Sequence, residues 1–377
     1  MVAACTTVPP APPRTLPEPS RAIFKPASFE QLPGWSSDAS AEAWPAFLTG
    51  CQALVARAEG AAIWRDPCSA ARLIDAHDSR AVRAFFELHF SAYRAVAADG
   101  EQTGLVTGYY EPLLEGSRTR DKRHRYPLFA PPDDLLRIDL GTLYPELKDK
   151  RVRGRLEGHS VVPYWSRADI EAGKAPVADK ALAYVDDALE AFFLQIQGSG
   201  RIRLAEGATM RVGYADQNGH PFRSIAKILL ERGAIAPGEA TLRGLKAWAQ
   251  DHPQDVAPLL DENPSYVFFR EVTLDPSALV DGPIGTLGVA LAAGRTIAVD
   301  ARSIPLGAPV FLATTWPLSD RPLQRLVLAQ DTGGAIRGAL RVDFFWGLGD
   351  EAGREAGRMK QQGSVWVLWP KGAPLPQ

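Results

Sequence analysis

Two aspartates occupy positions where burial is expected. In LVLAQDTGGAIRGALRVDFFWGLGDEAG, residues 326–353, Asp331 ends one apolar strand and Asp343 lies inside a second, Arg341-Val342-Asp343-Phe344-Phe345. Successive strand residues face opposite sides, so Asp343 points away from Val342 and Phe344. Burying an unpaired carboxylate is unfavourable. The same burial raises its pKa, as a general acid working at neutral pH requires. Asp331 could pair with Asp343 or orient a hydroxyl. Gly333 and Gly334 stand in the turn between the strands, where glycine permits a positive φ or close backbone approach. Locally, a structural role for either acid stays open, since aspartates at strand ends commonly serve turns.

Other chemistries leave no comparable trace. There is no HExxH, no CxxC and no clustered histidine, so neither a metal nor another cofactor is expected. The GSG at 198–200 lacks the spacing of a nucleophile elbow. GLGDEAGREAG follows no βαβ pattern and carries no Walker lysine. Acid chemistry among polar and aromatic groups remains, which suits a carbohydrate. A formal charge of −2 over 377 residues argues against nucleic acid as partner. With 46% hydrophobic and 23% charged residues the chain is globular and long enough for two domains. No apolar run reaches the roughly 18 to 20 residues that span a bilayer.

The elements that must position these acids change character along the chain. AEAWPAFLTGCQALVARAEG and SRAVRAFFELHFSAYRAVA repeat apolar residues at helical spacing, with a break between two helices expected at Glu59-Gly60. TGLVTGYY, 103–110, turns to strand. From Glu111 to about Arg211 short strands alternate with basic-aromatic loops, and EAFFLQIQGSGRIRL reads as an alternating strand run. Helices return in HPFRSIAKILLERG and ATLRGLKAWAQDHP, the second ended by Pro253. From about Ser265 many short strands punctuated by Gly and Pro suggest a small closed barrel. Trp366 and Trp369, three apart in the last strand, face opposite sides and are read as structural.

The N-terminus carries a different message. MVAAC places small residues before Cys5, like the lipobox of bacterial lipoprotein precursors, and TTVPPAPPRTLPEPS follows as a Pro-rich tether. Cys5 is therefore a candidate lipidation site and membrane anchor. Cys51 and Cys68 are the only other cysteines; they are expected to pair in an exported protein, with two buried thiols as the alternative.

Six ordered blocks carry a family resemblance: GYYEP (108–112), LQIQGSGRI (194–202), YADQNGHPFRSIAKIL (214–229), NPSYVFF (263–269), AVDARSIPLGAPVF (298–311) and the two-aspartate stretch. Together they resemble the membrane-bound lytic transglycosylase A (MltA) family, and the C-terminal portion resembles the three-aspartate domain, whose aspartates here would be Asp300, Asp331 and Asp343. The resemblance implies a mainly β protein with flanking helices: a double-psi β-barrel with an inserted β-rich domain and a groove between them. On that reading residues 1–38 are the lipoprotein-like N-terminus and tether, 39–110 plus 243–372 the barrel domain, and 111–242 the insertion. It implies Asp343 as the acid, Asp331 as its support, and Tyr109, Tyr110, Gln197, Ser199, Tyr214, Asp300, Gly333 and Gly334 along the glycan. It implies a monomer acting on peptidoglycan glycan strands at the periplasmic face of the bacterial outer membrane, in reach of murein synthase and hydrolase complexes. The expected reaction cuts the β-1,4 bond between N-acetylmuramic acid and N-acetylglucosamine and leaves 1,6-anhydro ends. A hydrolytic glycosidase using both acids, or a non-catalytic murein-binding lipoprotein, are the alternatives.

Overall fold

The computed structural model describes residues 21–144, 147, 152–275 and 277–376; Cys5 lies outside them. Among the described residues six strands close on one another. Gly104–Glu111 runs parallel to Val342–Leu348, which is antiparallel to Thr296–Val299. That strand is parallel to Pro322–Asp331, which is antiparallel to Pro309–Thr315. Lys360–Pro370 closes the ring, pairing Ser364–Val367 with one neighbour and Lys360–Gly363 with Gly104–Thr107. Closure needs a close approach at Gly363, where a Cβ would stand 2.7 Å from the Val106 side chain. The result is the barrel of the expected class, with Val106, Ile297, Val299, Val310, Val342, Phe344 and Val365 in one hydrophobic core.

The N-terminal part covers this barrel. Ile23–Ala27 and Phe90–Val96 extend the sheet beyond Lys360–Pro370, so the chain is folded well inside the tether expected through residue 38. Trp44 and Phe47 of the helix Trp44–Val55 meet Phe85 and Phe86 of Ser79–His89 edge to face, with Trp44 and Phe85 4.9 Å apart. Helical spacing continues into SAYRAVA, but this stretch forms the Phe90–Val96 strand because it is needed as a pairing partner for the last strand. The helix break falls at Ala56-Arg57 rather than Glu59-Gly60. Gly60 belongs to Ala58–Ala71, where a Cβ would stand 2.3 Å from the Leu54 carbonyl oxygen. A Cys51–Cys68 disulfide joins these two helices. Trp366 and Trp369 are both buried, against Phe311 and Trp64 respectively.

The segment between the barrel strands builds a second sheet of six strands, with Leu113–Ser117, Ser199–Leu204, Thr209–Gln217 and Val267–Glu271 among them. Its last strand comes after the boundary expected at residue 242. EAFFLQIQ is not a strand. Asp187 caps the helix Ala188–Gln197 by accepting from Glu190 N, and Gly198 at φ 78° ends it. Only Ser199–Leu204 continues as the strand. Leu242–Asp251 stops before Pro253 as read.

Two buried charge networks fasten these layers. Arg201 of the second sheet donates Nε to Glu111 at 3.0 Å, at the end of the barrel strand, and Nη1 to Asp281 at 3.1 Å, on the returning chain. Both covalent crossings between the sheets are thereby tied to one guanidinium. Arg295, immediately before a barrel strand, donates to both Asp38 oxygens at 2.9 Å, to Glu42 and to the carbonyls of Ala39 and Leu326. Asp38 also accepts from Leu326 N at 2.9 Å. Removing one partner leaves the other charge buried, so Arg295→Ala is expected to lower stability by about 3–5 kcal/mol. Urea unfolding measures it, and the Arg295→Ala/Asp38→Ala double variant should lose less than the sum of the two single losses.

Candidate active site

The acids meet across the barrel through one small residue. Ala298 stands opposite Asp331 on one side and Asp343 on the other, and Asp343 stands opposite Thr107. Residues directly opposite in neighbouring strands share a face, so Asp331, Ala298, Asp343 and Thr107 form a row. Their neighbours Ile297, Val299, Val342, Phe344 and Val106 are core residues, which turns the row outward. A shift in register lets Asp331 join. Ile297 is paired with Ala329, but Ala298 is paired with Asp331, leaving Gln330 over. Gln330 turns inward and donates its amide to the Ala46 carbonyl at 2.7 Å. Without that extra residue, strand alternation would aim Asp331 at the core side with Val299.

Each acid has its own support. Asp343 accepts from Thr107 Oγ1 at 2.5 Å, and the same hydroxyl accepts from Arg341 Nη2 at 2.8 Å. Asp331 accepts both the backbone N–H and the hydroxyl of Thr286, each at 2.9 Å. Both acids keep a side open to solvent. Enough protein surrounds the Asp343 carboxyl for burial to raise its pKa, with Asp331 adding to the rise; the Thr107 hydroxyl and the Arg341 charge oppose it. Burial also raises Asp331, against the hydrogen bonds from Thr286 and Thr332 N. The two donors of Thr286 favour an ionised Asp331, whereas Asp343 has a single hydroxyl. Asp343 is thus the better proton donor of the two.

Tyr109 completes the centre. Its ring packs on Phe345, the residue opposite it in the parallel strand, with centroids 5.1 Å apart. Its hydroxyl is buried and faces Asp331, helping to hold that acid's charge, though it falls short of full hydrogen-bond geometry with any described residue. Burial first, and then the charges of Asp331 and Asp343, push its pKa well up. It stays protonated, a donor turned to Asp331 beside the two acids.

The other expected site residues divide. Gln197 accepts from Tyr110 N at 3.2 Å and so braces the insertion against the barrel. Burial and the charges of Glu190 and Asp350 push the Tyr110 phenol up to about 12. Ser199 opens its strand opposite Gly213, next to the exposed Tyr214. Gly333 and Gly334 form the turn after Asp331, but the positive φ, 112°, falls at Gly338. Asp300 departs from the expected substrate contact: its oxygens are taken by Arg302 Nε at 3.0 Å, Arg302 Nη2 at 2.8 Å and Gly338 N at 2.9 Å. These partners hold it ionised despite burial, and it clasps the loop that leads to the Asp343 strand. Thr107, Arg341 and Thr286 were not singled out in the sequence. Thr107 and Arg341 lie inside quoted blocks or beside them, while Thr286 sits in a loop without any distinguishing pattern. Among the described residues no group of three or more His, Cys, Asp or Glu could hold a metal ion, and no helix is long and apolar enough to cross a membrane.

Because the folded state holds the Asp343 proton more tightly than the unfolded chain does, stability should fall as pH rises from the ordinary aspartate range through the raised pKa. Asp343→Asn removes that loss. The variant should melt above the parent at neutral pH, with the gap closing on acidification below about pH 4; a gap independent of pH would contradict the burial argument.

Residues 105–270 match the MltA specific insert domain and residues 295–369 the 3D domain. The membrane-bound lytic murein transglycosylase A of Escherichia coli K12 is 32% identical over 301 residues, covering 77% of this chain and 72% of that protein. The crystal structure of MltA from Neisseria gonorrhoeae in a monoclinic form superposes with a TM-score of 0.81 at 37% identity, covering 97% of this chain and 99% of the other. E. coli MltA with bound chitohexaose gives a TM-score of 0.67 at 27% identity, covering 95% of each chain. With its outward row of acids on a closed barrel and its inserted second sheet, the chain belongs to the MltA family of membrane-bound lytic murein transglycosylases.

Proposed function

We propose that the protein is a peptidoglycan lytic transglycosylase in which Asp343 serves first as acid and then as base. Protonated Asp343 gives its proton to the glycosidic oxygen as the bond from C1 of N-acetylmuramic acid breaks. The resulting carboxylate takes the proton of the C6 hydroxyl of the same sugar as that oxygen bonds to C1. The products are a free N-acetylglucosamine hydroxyl and a 1,6-anhydro end; no water is consumed and the acid is regenerated. An intramolecular nucleophile has a high effective concentration, so holding the sugar replaces activation of water. The observation that carries this reading is the asymmetry in hydrogen bonds to the two acids: burial raises both, but Asp331 accepts both donors of Thr286, whereas Asp343 accepts one hydroxyl, that of Thr107.

The relative crystallised with chitohexaose supports a β-1,4-linked glycan as ligand. Tyr109, whose buried hydroxyl faces Asp331, turns to donate to the bound sugar beside the breaking bond, and Gln197, Ser199 and Tyr214 contact the glycan from the insertion. Lipidation at Cys5 would anchor the enzyme to the outer membrane, facing the periplasm, and the relatives' membrane-bound name supports association with the envelope.

Asp343→Ala is expected to lower release of anhydro-muropeptides from sacculi by about 100- to 10,000-fold, the usual share of a general acid. Asp331→Asn should slow turnover while mass spectrometry still finds anhydro ends, with no rescue by azide. Azide-dependent recovery, or reducing-end muramic acid from the parent enzyme, would favour a hydrolase. Tyr109→Phe should lower kcat about tenfold with little change in KM, the size of one hydrogen bond made in the transition state. A change confined to KM would make Tyr109 a ground-state contact instead.

A further inference from the structure

A second recess lies on the inserted domain, away from the acids. Strand alternation puts Arg125, Pro127 and Phe129 on one face of Tyr126–Phe129 and its approach. Tyr184, opposite Pro127 on the neighbouring strand, joins that face. With Arg120 and Val177 they line a cavity of about 530 Å³. Its floor is apolar, continuous with the buried cluster of Phe129, Ile170, Ala175 and Val177. Its rim is cationic. Arg120 and Arg125 make no ion pair among the described residues; Arg125 reaches only the Tyr126 ring, at 5.5 Å, and that residue's hydroxyl, at 3.5 Å. The neighbouring charges are already matched: Arg123 with Asp186 at 2.9 Å, Lys174 with Asp169 at 2.7 Å, and Glu171, the acid on the cavity wall, with Arg167 at 3.8 Å. Two guanidiniums are thus left over above an aromatic and apolar trough.

We infer that this recess binds the peptide stems of peptidoglycan, the arginines taking their free carboxylates and the Pro127, Phe129 and Tyr184 face their small apolar side chains. The inference rests on the murein reading of the active site. A guanidinium presents parallel N–H donors that match a carboxylate. In a peptide-bearing strand the lactyl carboxyl of each N-acetylmuramic acid is spent in the amide to its stem, so the sugars offer hydroxyls and acetamides and the free carboxylates belong to the peptides. The strand Leu113–Ser117 leads from the barrel junction towards Arg120, and its five residues span about 16 Å. The recess therefore meets the polymer well away from the bond being cut, where it selects substrate without touching the chemistry.

The test uses the full chain and the Arg120→Gln/Arg125→Gln variant, whose exposed substitutions leave Asp343 and its partners untouched. Calorimetric titration with a synthetic alanyl-γ-glutamyl stem peptide should show binding to the parent at least about tenfold tighter than that of its carboxamide counterpart, a difference of about 1.4 kcal/mol. The double variant should lose that difference. Inorganic phosphate should compete only weakly; equal competition would reveal a general anion site and overturn the proposal, as would equal binding of acid and carboxamide. On peptide-bearing sacculi the variant should show a severalfold higher KM with kcat retained. Glycan strands stripped of peptides by an amidase keep only lactyl carboxylates, held against the sugar ring and short of the recess; on them it should match the parent, and a variant indistinguishable from the parent on both substrates would also overturn the proposal. Failure of the parent to form anhydro ends on stripped strands would count against the enzyme reading instead, so the two failures are separable.

Discussion

The site depends on one surplus residue in a strand. Register between Thr296–Val299 and Pro322–Asp331 shifts at Ala298, and Gln330 is the residue left over. That shift moves Asp331 from the core side to the outward side, where Asp343 already points. Ala298 between them has the smallest side chain that still keeps a strand conformation without glycine's entropy penalty, and it leaves the space between the two acids open. Gln330 stabilises the shift, because its amide is anchored to Ala46 O and fully buried. The covering helix Trp44–Val55, which supplies Ala46, therefore helps set the placement of the two acids although it brings no group to them.

The same economy governs the junction. On the proposed reading a glycan would touch residues of both barrel and insertion, so their relation matters as much as the acids. Gln197 accepts from Tyr110 N, and Arg201 joins Glu111 to Asp281 at the points where the chain leaves and returns. Burial disfavours the Glu111 charge, and Arg201 opposes that effect. Such an ion pair adds little net stability against an apolar substitute, but it accepts only one geometry. Its contribution is to fix the angle at which the second sheet meets the first.

How much of this was legible in the sequence follows from the range of the forces involved. Asp343 could be read because its neighbours Val342 and Phe344 state locally which way it points. The barrel could be read from strand punctuation after Ser265, and the family blocks supplied its topology. EAFFLQIQ misled because its alternation fits a strand; the cap at Asp187 and the left-handed Gly198 decided for helix. SAYRAVA misled in the opposite direction, since pairing with the distant strands Ile23–Ala27 and Lys360–Pro370 makes it extended. Asp300 looked like its companion acids until Arg302, two residues on, took its charge. Thr286 was out of reach altogether, as its contact with Asp331 exists only after the barrel has closed.

A single-acid transglycosylase asks an unusual thing of its scaffold. Water need not be activated, so a second carboxylate is not required as base or nucleophile, and the difficulty moves to holding one sugar with its C6 oxygen aimed at C1. Near-attack geometry tolerates errors well under an ångström. A site on loops would have to recover that accuracy through induced fit. Here Asp331, Asp343, Thr107 and Tyr109 all belong to strands of a closed ring, so none can shift without straining hydrogen bonds around the barrel. Two carboxyls raised by burial are a standing destabilisation, tolerable because the ring and its charge anchor at Arg295 hold the surrounding strands whether or not the acids are protonated. Stability is supplied at the Arg295 anchor and consumed at the acids, and the rigidity that joins them is what would let one aspartate suffice in the proposed mechanism.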